Sequence, residues 1–420
     1  MITPLGGVRL PTQPTPFVKQ AKLQATGTRV YLRLPDENAY TLCVSEGETV
    51  ASGTLIAKEA DGTPVYAPVS GRFDGVFSNG GREYAGVTDD GKGEKSPVFA
   101  PETRPLGDIP AEELLEKVKM LGILDVRGGD RLWRTLSRAS GCFPEGAVPK
   151  LIIDATDASG CSFTNYIPAL QTPSDLIGGA VLLARLLGTG RIILLVDADR
   201  QKAIRTLTGR IGGNPLFALA KTVACYPMRD EMIYEMLYME RIPKGSSMNE
   251  RGIFITDAQT AVQFCRAMLT GMPQTVRWLT AAGEGFAQQA VVCLPLGTPW
   301  QNVLAACKFR GEPYRTMINS PIRGEEARGV CEGDAVCVIS SLPKEHHATH
   351  CISCGHCGEV CPMRLQPRKI LFTRRISDVQ ALVSDCVGCG CCEYACPAYL
   401  PLAEMIAEYK SEPKEESEDA

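Results

Sequence analysis

No stretch of this 420-residue chain approaches the roughly 18 apolar residues of a membrane-spanning helix. The strongest run, RIILLVDAD at 191–199, is the length of a buried strand. Any membrane contact is therefore expected to be peripheral. Basic residues are not in excess: 44 Lys and Arg stand against 48 Asp and Glu, a net charge of −4, so nucleic acid is not an expected partner. The opening MITPLGGVRLPTQPTP has no apolar leader core, so a reducing cytoplasm is the expected setting. In that compartment 18 cysteines are free or metal-bound rather than disulfide-paired. There is also no P-loop and no G-x-G-x-x-G fingerprint, so no motif demonstrates a nucleotide site.

The cysteines are not scattered. CISCGHCGEVCP at 351–362 and CVGCGCCEYACP at 386–397 place their thiols in register. Each of 386−351, 389−354, 392−357 and 396−361 is 35; the region is an internal duplication. Zinc sites use two C-x-x-C pairs separated by a longer loop, and the third and fourth thiols here follow too closely for that. The run C-x2-C-x2-C-x3-C-P is that of two-cluster ferredoxins, in which the fourth cysteine of each run serves the other cluster. The spacing therefore predicts one [4Fe–4S] cluster on Cys351, Cys354, Cys357 and Cys396, and another on Cys386, Cys389, Cys392 and Cys361. Cys391 lies outside the spacing. Cys331, Cys337, His346, His347, His350 and His356 have no firm ligand spacing and read as solvated loop residues. The basic cluster Arg364, Arg368, Lys369, Arg374 and Arg375 reads either as a docking site for an acidic redox partner or as a solvated helix face.

Upstream the texture changes several times. With 44% hydrophobic and 22% charged residues, the chain can bury cores for two to four domains. Glycines 47, 53, 62, 71 and 75 punctuate short alternating segments between 40 and 88, predicting a small β structure like the flattened barrel of biotinyl and lipoyl carriers. Lys58 precedes the EADGTP tip instead of crowning it, which favours a structural barrel. From 112 to 225, KLIIDAT, GRIILLVDAD and KTVACYP read as strands alternating with helical segments, hence a parallel α/β sheet. Strand ends in such sheets often carry ligands; the candidates are Asp154, Asp157, Ser159, Cys161 and Asn165 beside RGGDR at 127–131. Polar loop residues without a ligand are the competing reading. Residues 252–310 suggest a strand, a helix and a β-grasp-like unit. The acidic tail SEPKEESEDA is expected to be disordered.

The chain is thus multidomain α/β plus β, with expected units at 1–110 (N-terminal segment and barrel), 111–250 (α/β), 251–330 (β-grasp), 331–410 (two-cluster ferredoxin-like helical domain) and 411–420 (tail). The order of these units, with GGVRLPTQP at 6–14, YP at 226–227 and LPLGTPWQNVL at 294–304, resembles the C subunit of Rnf electron-transport complexes over nearly the whole chain. That resemblance implies an α/β domain like the complex I 51 kDa subunit and an SLBB-like β-grasp. It also implies a peripheral, NADH-oxidising entry module that holds FMN and passes electrons through two [4Fe–4S] clusters. The chain departs from the family where flavin binds. DVRGGDRLWRTL at 125–136 replaces a longer glycine-rich loop, leaving Gly128 and Gly129, with Asp157 in DASG at 157–160, as a degenerate flavin site. Without those glycines the backbone cannot closely approach a phosphate, and neither FMN nor NADH is expected to bind tightly. Relatives of this kind include the electron-transfer protein associated with D-proline reductase, which serves a soluble enzyme. The expected function is single-electron relay between a reduced donor and a redox partner protein or Rnf-like membrane complex, with no independent catalytic residue. Its location would be cytoplasmic or peripheral on the inner face of the membrane. An FMN-dependent NADH-oxidising subunit and an assembly module with structural clusters are the alternatives.

Overall fold

The structure is a computed structural model that describes residues 4–10, 17–18, 27–35, 39–157, 162–243, 246–331, 335–342, 347–373 and 376–411. Its centre is a four-stranded parallel sheet in the order Phe217–Thr222, Ile192–Asp197, Lys150–Ala155, Ile253–Asp257. The first three strands step outward in one direction, and the fourth returns to the free edge of Lys150–Ala155. The winding reverses there, at the place where open α/β sheets form a crevice. Strand residues alternate between two cores. Leu151, Ile153, Leu194 and Val196 pack against the helices Pro173–Leu187 and Ala258–Thr270, whereas Ile152, Leu195, Ile253 and Ile255 pack against Met232, Ile233 and Met236 of the helix Asp230–Tyr238. Each such fully buried side chain contributes about 1.5–3 kcal/mol.

Two antiparallel sheets precede this unit. One has the order Arg29–Arg33, Arg82–Asp89, Gly71–Asn79, Thr49–Val50, the other Tyr40–Leu42, Leu55–Glu59, Pro64–Tyr66. They share a core of Val30, Ile56, Val65, Phe73 and Val87. Lys58 sits within the strand Leu55–Glu59, paired with Thr41 and Pro64, not at a hairpin tip. A five-stranded mixed sheet, in the order Phe17–Val18, Ala290–Pro295, Val276–Gly283, Cys337–Ser341, Arg315–Ile318, packs the helix Trp300–Ala306 beneath it. The last unit is a set of short helices, His356–Glu359, Pro367–Leu371, Ile376–Val383, Cys391–Tyr394 and Leu402–Ser411. None of the described helices is long and apolar enough to cross a membrane.

Strand pairing moves three of the expected boundaries. Ile253–Asp257 hydrogen-bonds along Lys150–Ala155, so the cut expected at 250 falls inside the parallel sheet. Cys337–Ser341 pairs with Val276–Gly283 and belongs to the mixed sheet rather than to the cysteine-rich region. Phe17–Val18 pairs with Ala290 and Val291, so the N-terminal segment leaves the β-sandwich for the mixed sheet. The strand expected in KTVACYP is Phe217–Thr222. The chain quits the sheet after Thr222 because Tyr226 pairs instead with Val8, each N–H donating to the other's carbonyl at 2.8 Å.

Candidate metal centre

The duplication seen in the spacing is also a duplication of backbone. The helix His356–Glu359 recurs 35 residues later as Cys391–Tyr394. Positive φ recurs at the same offset: Ser353 (57°) with Gly388 (66°), Gly355 (85°) with Gly390 (77°), and Arg364 (56°) with Tyr399 (52°). Hydrogen bonds to sulfur recur as well. Ser353 N–H donates to Cys351 Sγ and Gly388 N–H to Cys386 Sγ, both at 3.4 Å. Such turns aim backbone N–H groups at sulfur.

Two small hollows lie in this region, each of about 20 Å³. Cys351, Cys354, Cys357 and Cys396 line the first. Cys361, Cys386, Cys389 and Cys392 line the second, with Cys391. Each hollow thus takes three thiols from one run and the fourth from the other. Among the described residues no group of three or more His, Cys, Asp or Glu converges as for a single ion. Burial, the largest cause, pushes the Cys392 thiol up to about 12 and raises Cys357 and Cys361 as well. Those thiols hold their protons at neutral pH unless a cation displaces them, so loading metal here would release protons.

The hollows have different neighbours. Cys391, fully buried, packs with Val8, Leu10 and Tyr226, and its Sγ donates to the Tyr226 carbonyl at 3.3 Å. The same thiol proton, shared toward Cys389, lowers Cys389 to about 6 and raises Cys391. Gly7 N–H donates to the Val360 carbonyl at 2.8 Å. Gly6, at φ +85°, leaves no room for a side chain, since a Cβ would lie 2.7 Å from the Cys361 carbonyl oxygen. GGVRL is therefore a wedge between the loop at 225–227 and the second hollow, a role its sequence does not announce. Arg364 forms an ion pair with Glu235 of the α/β unit. Arg374, Arg375 and His346 lie outside the described residues. His347, His350 and His356 are exposed, but Cys331 and Cys337 are buried in the mixed-sheet unit instead of solvated, because Cys337 opens an inner strand.

The strand-end candidates hold the loops to the sheet. Arg127 donates to Asp154 at 2.5 Å and to Asp230 at 2.6 and 2.9 Å, tying the RGGDR loop to the strand Lys150–Ala155. Asp157, pushed up to about 7 chiefly by burial, accepts from the N–H groups of Asn165 and Tyr166 at 3.2 and 3.1 Å. Asn165 Nδ2 donates to the Thr156 carbonyl at 3.0 Å. Ser159 and Cys161 lie outside the described residues. Gly129 faces a cavity of about 520 Å³ between the β-sandwich and the α/β unit, walled by Glu59, Asp125, Asp130, Arg131 and Arg134; Asp157 is not among its lining residues. Gly128 is closed off, since a Cβ there would meet the Asp125 carboxylate and Thr135 at 2.5 Å. Arg134 is already engaged by Glu59, Asp61 and Asp130, and Arg131 donates to the Gly122 carbonyl at 2.8 Å.

Residues 350–399 match the family described as a 4Fe-4S dicluster domain; the region is an iron–sulfur domain. Over most of its length the chain aligns with curated proteins. One is the C subunit of the Na(+)-translocating ferredoxin:NAD(+) oxidoreductase complex of Acetobacterium woodii, 25% identical over 346 residues that cover 79% of this chain and 77% of that protein. This chain is similar to the Rnf C proteins. Another relative is the C subunit of the ion-translocating oxidoreductase complex of Buchnera aphidicola subsp. Baizongia pistaciae, 24% identical over 81% of the chain and 70% of the relative. For the equivalent protein of Serratia proteamaculans the figures are 24%, 80% and 49%, so the chain spans about half the length of that relative. Two structures of an NAD+-reducing [NiFe]-hydrogenase overlap it partially. The H2-reduced state has TM-score 0.47 at 17% identity, over 59% of this chain and 49% of that one. The air-oxidized state has TM-score 0.48 at 14% identity, over 66% and 57%.

Proposed function

We propose that the chain is an iron–sulfur electron relay holding two [4Fe–4S] clusters. Cys351, Cys354, Cys357 and Cys396 would ligate the first, and Cys361, Cys386, Cys389 and Cys392 the second. The carrying observation is the crossed lining of the two hollows, which follows the ligand exchange of two-cluster ferredoxins. When bound, the clusters supply one-electron chemistry. The chain's part is to present thiolates, aim amide N–H groups at sulfur, and keep the inner hollow away from water. The relay would exchange electrons between a reduced donor and a partner oxidoreductase, either soluble or part of an ion-translocating complex like those of its relatives. It would act in the cytoplasm or on the membrane surface.

The residues around Gly129 do not fit a flavin phosphate. Three carboxylates line that cavity, its main guanidinium is already engaged, and Gly128 has no free approach, so no step is assigned to FMN or NADH here. Anaerobic purification tests the reading. About eight irons and eight acid-labile sulfides per chain are expected, together with substoichiometric FMN and no NADH-driven dye reduction. Iron at half that level or less would sink the two-cluster assignment; stoichiometric FMN with rapid NADH oxidation would restore the dehydrogenase alternative.

A further inference from the structure

The two hollows are not equal in thiols. Four cysteines line the first and five line the second. The fifth is Cys391, which stands 35 residues after His356 by 391−356. At that shared position the two halves part. His356 is exposed and is not among the residues lining the first hollow, whereas Cys391 lines the second and is fully buried. Cys391 also sits beside Cys389, close enough for its thiol proton to be shared toward that sulfur. Little holds the thiol where it is. The Tyr226 carbonyl that accepts its proton at 3.3 Å already accepts the Val8 N–H at 2.8 Å, and a thiol is a weak donor. Turning Cys391 toward the hollow therefore leaves no carbonyl without a partner. Cys389, by contrast, is part-exposed, and damage to a thiolate by oxidation follows exposure.

We propose that Cys391 is a reserve ligand of the second cluster, placed behind Cys389 to take over its iron when Cys389 is lost. The proposal rests on the two-cluster relay reading and gives a ligating role to a thiol outside the duplicated spacing. The exchange balances with no electron transferred: the Cys391 S–H bond breaks, its proton goes to water, and Sγ bonds the iron that Cys389 has left. The second hollow can thus lose one ligand and still offer four thiols, Cys361, Cys386, Cys391 and Cys392. The first hollow has no fifth thiol among its lining residues, so the loss of one ligand there has no replacement.

The test counts iron and acid-labile sulfide in the full chain purified anaerobically, where wild type should hold about eight of each. Cys391→Ala alone should keep that content, because the reserve is not in use. Cys389→Ala should keep it too. Joining the two substitutions should then halve the iron, a loss that neither single variant shows. Cys354→Ala, which has no reserve thiol, should lose half outright. If Cys389→Ala falls to about four irons, or does not fold, Cys391 does not replace Cys389 and the proposal is wrong, while full wild-type content leaves the two-cluster reading standing. It is equally wrong if Cys391→Ala alone loses iron, since the thiol is then needed at all times, or if the double variant keeps its full content. Wild type at about four irons or fewer would sink the two-cluster reading itself.

Discussion

The two halves of the cysteine region share one backbone and differ in what touches it. Position for position at an offset of 35, His356 is exposed where Cys391 is fully buried. Gly355 faces open space, whereas a Cβ on Gly390 would meet the side chains of Ile322 and Arg323 at 2.8 Å. Tyr399 points to solvent where Arg364 is held by Glu235. A duplicated cysteine frame has thus been given one half that joins the body of the protein and one that remains accessible. Local sequence repeats the geometry, and tertiary packing assigns the two halves their different places.

The largest expected effect breaks the pairing between halves. Cys361→Ala should remove the second cluster and spare the first, and Cys396→Ala should do the reverse. Each variant should lose about half of the roughly eight irons, counted by anaerobic iron and sulfide assay. If Cys361→Ala instead damages the cluster of its own run, the crossed assignment is wrong.

A smaller effect isolates the packing. Gly355→Ala and Gly390→Ala both force a side chain into left-handed backbone, at a shared cost of about 1 kcal/mol. Only Gly390→Ala also pushes against Ile322 and Arg323. It should therefore cost an additional 1–3 kcal/mol, roughly the range of overpacking, read as earlier thermal loss of cluster absorbance. Equal losses in the two variants would mean that the inner half is not braced by the mixed-sheet unit.

These halves also mark how far sequence reasoning reaches. Thiol spacing is covalent and local, so the duplication of the cysteine run is readable from the chain, as are the strands Lys150–Ala155 and Ile192–Asp197 from their apolar runs. What escapes depends on long-range pairing. GGVRL gives no sign that Gly6 lies against the Cys361 carbonyl, 355 positions away by 361−6. Ile253–Asp257 looks like the start of a new unit because its partner, Lys150–Ala155, lies some hundred residues earlier. Asp157 is a plausible ligand at a strand end, but two N–H donors of the following turn occupy its carboxylate. Arg364 belongs to a basic cluster in sequence and to an ion pair in space.

That ion pair gives the smallest effect and the finest probe of the comparison. Arg364 and Glu235 are part-exposed, with 36% and 25% of their side chains accessible, and pairs of this kind are worth about 0–1 kcal/mol because water and salt screen them. Glu235 also lies 3.6 Å from Arg241, so losing Arg364 does not strand a carboxylate. A double-mutant cycle with Arg364→Asn and Glu235→Gln suits the site, since Asn tolerates the positive φ that Arg364 adopts. The expected coupling is about 0.5 kcal/mol at low salt, fading as ionic strength rises, measured from the midpoint of cluster loss on heating. The Tyr399→Asn change at the equivalent position should show no coupling to Glu235, because that half faces solvent. Coupling that survives molar salt would show that the contact acts through packing of the arginine stem and not through charge; no coupling at any salt would leave Gly6, Tyr226 and Ile322 as what fastens the inner half to the body.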